Sequence, residues 1–394
     1  MASPALQSPV LVPPALEARM IAWRRHLHAN PELSFEEHET SEFVAATLRS
    51  FGGLSIERPT PTSVVARLRG RRPGKTVALR ADLDALPITE ENDVPYASTR
   101  PGVMHACGHD GHTAMLLAAA QALVERRDSL SGEVRFVFQH AEELPPGGAR
   151  ELVSAGVVDG ADLVAGVHLL SGLATGLVSV APGPVTAAAD LFDIEVVGRG
   201  GHGAFPHETV DPVAVAAQVI SALQHVVSRE TDPFDSVVVS VTTVSGGTAR
   251  NVIPGLVRLG GTVRTLTVHR RAEVRDAVER VVRGVTDAHR ASYRFDYQVG
   301  YDPVVNDRRA CALLEAGIRE EFGEAALVEH PPVMGGEDFS AYGEAAPAAF
   351  FWVGSGNEEL GTTMPHHHPR FEIDEAALKH GATVFVRTVL DVLS

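Results

Sequence analysis

Apolar positions recur at helical spacing over residues 15–30, around Arg24-Arg25-His26-Leu27-His28, and stop at Asn30-Pro31. A second helical pattern over 36–51 ends at Gly52-Gly53. Short β-rich runs follow at 63–68 and 76–81, then a helix over 111–126, a strand over 133–139, a helix near 147–155 and a strand over 162–168. Strands alternating with helices predict an α/β layer with a mostly parallel sheet. Pro182-Gly183-Pro184 breaks that texture. Beyond it come strand 190–197, helix 211–228, strands 236–245 and 256–265, helix 268–290 and strand 293–299, the βαββαβ order of a ferredoxin-like α+β unit. From Pro303 the α/β pattern resumes, with helix 308–322, a strand at 349–353 and a closing helix over 374–392. The simplest division is one α/β domain, 1–185 and 301–394, interrupted by an inserted α+β domain at 186–300.

The 394 residues exceed what one compact core organises, and 44% hydrophobic with 21% charged residues is an ordinary globular balance. A formal net charge of -16 argues against nucleic acid or an anionic membrane as partner. Two cysteines, Cys107 and Cys311, support no disulfide framework and favour a reduced compartment. No apolar run approaches a membrane span, and Met1–Pro9 lacks a basic stretch before an apolar core, so the expected location is the cytoplasm.

Met104-His105-Ala106-Cys107-Gly108-His109-Asp110-Gly111-His112 concentrates a thiol, three imidazoles and a carboxylate at the mouth of a helix. Cys107 and His109, two apart, leave an extended backbone on the same side, as two ligands of one metal region would. The loop alone does not decide between that chemistry and a Cys107 nucleophile paired with His109. Further ligand-type residues stand at predicted strand ends: Asp82 and Asp84, Glu142 and Glu143, and His168, with His366-His367-His368 near the C-terminus. Strand ends are where an open α/β sheet places its binding crevice. Adjacent glutamates point opposite ways from an extended chain, so one of Glu142 and Glu143 can bind metal while the other handles protons.

Seven segments together resemble the M20 metallopeptidase family, specifically its M20D branch of aminoacylase- and hippurate hydrolase-like enzymes. They are Arg80–Pro87, Met104–His112, Gln139–Glu143, Gly200–His207, Asn251–Pro254, Met334–Phe339 and His367–Phe371, in family order, with His28–Ser34 similar as well. The resemblance implies a zinc-peptidase-like catalytic domain with an inserted lid and dimerisation domain, hence a homodimer or higher homo-oligomer. It implies two divalent ions per subunit (Zn, Mn, Co or Ni) held by Cys107, His109, Glu143, His168 and His367, with Cys107 bridging. His367 is chosen over His366 because it stands two before Pro369. Glu142 is implied as the general base, His202 as the group presented to the substrate carbonyl, often across the dimer, and Asn251 and Arg264 as the holders of the substrate's carbonyl and carboxylate. Asp84 is expected to orient a ligand rather than bind metal. His140 departs from the branch, which has proline there.

The implied reaction is hydrolysis of the amide bond of an N-acyl or N-aroyl amino acid by a metal-activated water. The alternatives are a dipeptidase or carboxypeptidase on the same site and, from another class, a metal-binding or thiol-redox protein centred on Cys107. Cys311 reads as core, and His26, His28 and His38 as surface or structural. His105 and His112 read as supporting residues beside the ligands, and Glu337-Asp338 as either pocket lining or a helix cap.

Overall fold

The computed structural model describes residues 10–394; Met1–Pro9, read above for a leader signal, lies outside the described residues. Along the chain run α1 (Pro14–Ala29), α2 (His38–Phe51), β1 (Ser55–Glu57), β2 (Val64–Arg69), β3 (Arg72–Asp82), α3 (His109–Val124), β4 (Ser131–Gln139), α4 (Ala149–Ser154), β5 (Leu163–Ala174) and β6 (Val178–Ser179). Then come β7 (Gly183–Pro184), β8 (Ala188–Val197), β9 (Gly201–His202), α5 (Pro212–His225), β10 (Val237–Gly246), β11 (Val252–Ile253), β12 (Leu256–Thr265), α6 (Val268–Ala288) and β13 (Ser292–Tyr301). The chain ends with β14 (Val305–Asn306), α7 (Arg308–Phe322), α8 (Ser340–Ala345), β15 (Ala348–Gly356) and α9 (Ala376–Leu393).

Two compact units result. The first comprises residues up to Gly183, Val305–Pro331 and Asp338–Ser394; the second comprises Pro184–Val304 and Pro332–Glu337. The return of Pro332–Glu337 to the second unit has no counterpart in the helix and strand periodicities, which register only regular elements.

In the first unit a seven-stranded sheet has the order β1-β2-β4-β3-β5-β15-β6. The inner four strands, β4, β3, β5 and β15, are mutually parallel, whereas β1, β2 and β6 pair antiparallel at the flanks. Inner strands buried on both faces need continuous apolar runs, and every residue of β15, Ala348–Gly356, is buried. Helix α3 is buried on every side from His109 to Leu123, with an apolar body beyond a first turn whose polar side chains are paired in the interior. Because β3, β4 and β5 run parallel, the ends of β3 and β4 at Asp82 and Gln139 come level with His168, which lies inside β5 rather than at a strand end as its sequence suggests, since β5 continues to Ala174.

Helix α1 carries more than an amphipathic stripe. Arg24 is fully buried and meets Asp110 at 2.8 Å, Glu372 at 2.6 Å and Glu375 at 3.4 Å. His28, one turn on, is also fully buried, with Nδ1 2.8 Å from Asp110 and Nε2 3.1 Å from Glu90. The structural reading of His28 therefore holds and the surface reading does not. The opposite charges on α3 and before α9 are what allow a guanidinium to sit there without water.

In the second unit β8, β10, β12 and β13 form an antiparallel sheet of order β10-β12-β8-β13, with α5 and α6 packed against it. This is the ferredoxin-like arrangement. No helix of the described residues is long and apolar enough to cross a membrane.

The His28 network carries a pH signature. Burial and Arg24 oppose the charged imidazole, but Asp110 and Glu90 outweigh them and push its pKa up to about 9. A raised pKa means the stabilisation is complete below about 6.5 and disappears as pH rises through about 9. We expect the margin of the wild type over His28→Gln, at most about 3 kcal/mol, to shrink between those values in denaturant melts. A margin independent of pH would contradict a charged His28.

Candidate metal centre and catalytic site

The site is built where β3 and β4 end, beside His168 within β5. Gly108, at φ 90°, turns the chain into α3, so that His109 occupies the first helical position while Cys107 remains in the preceding loop. Cys107 Sγ lies 3.5 Å from His168 Nε2 on β5. His109 directs Nδ1 at the Asp84 carbonyl, 2.9 Å away, and His168 directs Nδ1 at the Leu169 carbonyl, 2.6 Å away. Each carbonyl can only accept, so both rings carry their proton on Nδ1 when neutral and turn a bare Nε2 lone pair toward the cleft. That is the tautomer a metal-ligating histidine needs.

Glu142 and Glu143 follow β4. The His109 Nε2, Glu142 and Glu143 ligand atoms lie within 4.8 Å of one another. His367 Nε2 lies 3.3 Å from Glu143 Oε1, and His109 Nε2 lies 3.8 Å from the same oxygen. Cys107 belongs to two groups of potential ligands, one with His109 and His168 and the other with Glu143 and His367. Cys107 is thus shared by these two groups.

His366 and His367 both approach Cys107 but are differently engaged. His366 Nδ1 is 3.7 Å from Sγ, and its Nε2 accepts the Ser171 N–H at 3.4 Å, so that nitrogen is already used. His367, at φ 65°, hydrogen-bonds its backbone N–H to the Ala106 carbonyl at 2.8 Å, stitching the C-terminal loop onto the Cys107 loop. A left-handed conformation costs a non-glycine residue about 1–2 kcal/mol, and here it turns the imidazole toward Glu143.

The donor set fits divalent cations. His109 Nε2 and Glu143 Oε1 are buried without a hydrogen-bond partner. Such atoms are costly unless a cation compensates them. Asp82, Asp84 and Glu143 are together anionic enough to push the buried His109 up to about 10, against its desolvation. Imidazole, thiolate and carboxylate together suit zinc and the neighbouring first-row ions. The same surroundings weigh against a thiol nucleophile. Burial, then Glu143, Glu142 and Asp82, push the Cys107 thiol well above its ordinary value, the reverse of what an activated cysteine requires.

Asp84 supports the site from both of its oxygens. Oδ1 sits 3.3 Å from His109 Nδ1, and Oδ2 accepts from Ser34 Oγ at 2.7 Å and from the Glu143 backbone N–H at 2.9 Å. His112, also in the motif, is fully occupied: Nδ1 donates to Asp82 at 2.6 Å and Nε2 accepts the Leu169 N–H at 2.9 Å. It braces β3 against β5 and has no nitrogen left for a metal. His140 faces Glu151, 3.2 Å away, and Thr60, 3.5 Å away, and is buried rather than solvent-directed.

Sequence reasoning missed the buried frame beneath these residues. Arg80 reaches Gln139 at 2.9 Å, Asp82 at 2.7 Å and Asp338 at 3.0 Å. Asp338 also accepts from Gln139 and, at 2.9 Å, from the Ala149 N–H at the start of α4. Asp338 thus meets the first turn of α4 and forms a buried ion pair with Arg80. The available signal was an arginine inside an otherwise apolar strand.

The remaining predicted residues lie in the second unit. His202 on β9 stands opposite Val252 on β11, and the Gly203 N–H donates to the Asn251 carbonyl at 2.8 Å, so His202 and Asn251 share one small hairpin-like pair. His202 is exposed, and its Nδ1 accepts the Ala204 N–H at 3.1 Å, leaving the proton of the neutral ring on Nε2. Arg264 projects from β12, with Nε donating to Thr262 Oγ1 at 3.1 Å and no carboxylate in ion-pair contact among the described residues.

Residues 78–391 match the model of peptidase family M20/M25/M40. The chain belongs to that family. Among its M20 relatives, an N-acyl-L-amino acid amidohydrolase of Geobacillus stearothermophilus is 58% identical over 287 residues, 73% of this chain and 78% of that protein. Thermostable carboxypeptidase 2 of Saccharolobus solfataricus is 41% identical over 371 residues, 93% of each chain. A crystal structure of a dinuclear metal binding M20 peptidase of Bacillus subtilis superposes with TM-score 0.84 at 36% identity, covering 96% of this chain and 98% of that one.

Metal analysis separates the two neighbouring histidines. His367→Ala is expected to lower bound metal from about two ions per chain to about one, while His366→Ala retains both. Equal loss in the two variants would assign the ligand wrongly.

Proposed function

We propose that this M20 member is a metal-dependent amidohydrolase that releases an amino acid from an N-acyl or N-aroyl amino acid. The observation that supports the reading is the gathering of Glu142 with five residues able to serve as ligands, Cys107, His109, Glu143, His168 and His367, at one edge of the first unit's sheet. Two divalent cations held there would make water acidic enough to attack at neutral pH and would polarise the amide carbonyl.

Glu142 takes one proton from the attacking water as the C–O bond forms and delivers it to the amide nitrogen as the C–N bond breaks. Its neighbour Glu143 is committed to the ligand set, so the two adjacent carboxylates divide the work. Asp84 keeps His109 in its ligating tautomer and fixes the Glu143 backbone. In the same reading the second unit is a lid and dimerisation domain. From it His202 offers its Nε2–H to the carbonyl oxygen as negative charge develops, and Asn251 helps hold that carbonyl. Arg264 binds the free carboxylate with its planar fork.

The name of the Geobacillus relative supports an N-blocked substrate. The carboxypeptidase relative keeps the peptide-cleaving alternative in the test, because the cleavage chemistry is the same and only the acyl side differs. Cytoplasmic location, a homodimer or higher homo-oligomer and the choice among Zn, Mn, Co and Ni belong to the same proposal. The two unpaired cysteines support the location and the mixed soft and borderline donors the metals, while the oligomeric state rests on the family resemblance.

An assay with N-acetyl, N-benzoyl and longer N-acyl amino acids beside free-amine dipeptides checks the reading. N-blocked substrates are expected to be cleaved at least about tenfold better. Glu142→Ala should lower kcat by roughly 10²–10⁴-fold with metal content unchanged. Full activity in that variant, or after chelation, would exclude the mechanism.

A further inference from the structure

The segment before α2 holds an arrangement that the metal centre does not explain. Glu37 sits at the N-cap position of α2, yet its side chain makes no capping bond to that helix. Glu32 does the capping instead, accepting the Thr40 N–H at 2.7 Å and the Glu39 N–H at 3.2 Å. The Glu37 carboxylate, fully buried, is released to reach a loop distant in sequence. One of its oxygens, Oε1, accepts the Ala141 N–H at 2.8 Å and the Phe35 N–H at 3.0 Å.

Those two donors share a property. Ala141 at φ 50° and Phe35 at φ 68° are two of the four described non-glycine residues with positive φ. Left-handed backbone at alanine and phenylalanine persists only where surrounding contacts over-determine it. Ala141 is the residue immediately before Glu142. Its left-handed turn sets the direction in which Glu142 and Glu143 leave β4. On the far side of the same loop, Ser34 and the Glu143 N–H both bond to Asp84 Oδ2. The segment Ser34–Glu37 thus holds the Ala141–Glu143 turn directly through Glu37 and, through Asp84, by way of Ser34.

We propose that Glu37 is a positioning residue for the reaction: it holds Ala141 in the left-handed conformation that points Glu142 at the reacting water. The proposal rests on the reading of Glu142 as the base. Its particular content is that the strain at Ala141, rather than the fold as a whole, is what Glu37 sustains. Glycine adopts positive φ without steric cost, so Ala141→Gly removes the need for the clamp.

The test is a double-mutant cycle on the metal-loaded enzyme with an N-acyl amino acid substrate, together with hydrogen exchange of the 139–143 backbone. Glu37→Ala is expected to lower kcat by roughly 10–100-fold, with KM within about threefold and metal content unchanged, and to speed exchange at the Ala141 amide. Adding Ala141→Gly to Glu37→Ala should restore kcat by at least about fivefold, whereas Ala141→Gly alone should change it less than about threefold. Glu37→Gln keeps an acceptor oxygen and the side-chain shape, guards against simple unfolding, and should stay within about fivefold of wild type.

Either of two results overturns the proposal: kcat of Glu37→Ala within about twofold of wild type, or a loss that Ala141→Gly does not relieve. Should Glu142→Ala itself prove active, the base assignment fails, while the exchange rate at Ala141 still reports whether Glu37 holds the turn.

Discussion

Negative charge gathered where water is scarce is the constraint on which the first unit depends. Asp82, Asp84, Asp338 and Glu142 are all buried near the ends of the central strands. A buried carboxylate is tolerable only with a counter-charge or several donors. Arg80 supplies the counter-charge from within β3, bridging Asp82 and Asp338, and Gln139 completes the frame from β4. On the opposite side of α3, Arg24 does the same for Asp110. The Cys107–His109 loop therefore lies between two guanidinium-centred networks, and the proposed metal ions would offset the carboxylate charge left over at Glu143.

Much of this was legible from the chain. Helix and strand periodicities locate the long elements because each must bury a face. The Cys107–His112 loop stands out for its density of ligand-type residues at the start of a helix, and Glu142-Glu143 because carboxylates follow an apolar strand. What periodicity cannot register is pairing between distant buried charges. Arg24 and His28 look like surface residues on an amphipathic helix, and only the approach of Asp110, Glu90 and Glu372 from other elements makes them interior.

The same limit applies to backbone direction. Nothing in Phe35 or Ala141 announces positive φ, since glycine is the residue from which such turns are read. The antiparallel flanks of the first sheet, β1, β2 and β6, are likewise set by which edge remains open after the parallel centre forms. The order of His366 and His367 in space follows from the left-handed turn at His367 and its tie to Ala106, neither of which spacing encodes.

The interruption of the first unit has a consequence for biogenesis. Strand β15 is laid beside β5 only after the whole second unit has been made, with Ala348 paired to Val164, and His367 arrives later still. The first unit is thus an assembly of high contact order, slow to close and completed from its C-terminal end. During synthesis the inserted unit, whose own sheet needs only residues Ala188–Tyr301, can form first. Until the segment after β15 emerges, Cys107, His109, Glu143 and His168 would make up only part of the proposed ligand set.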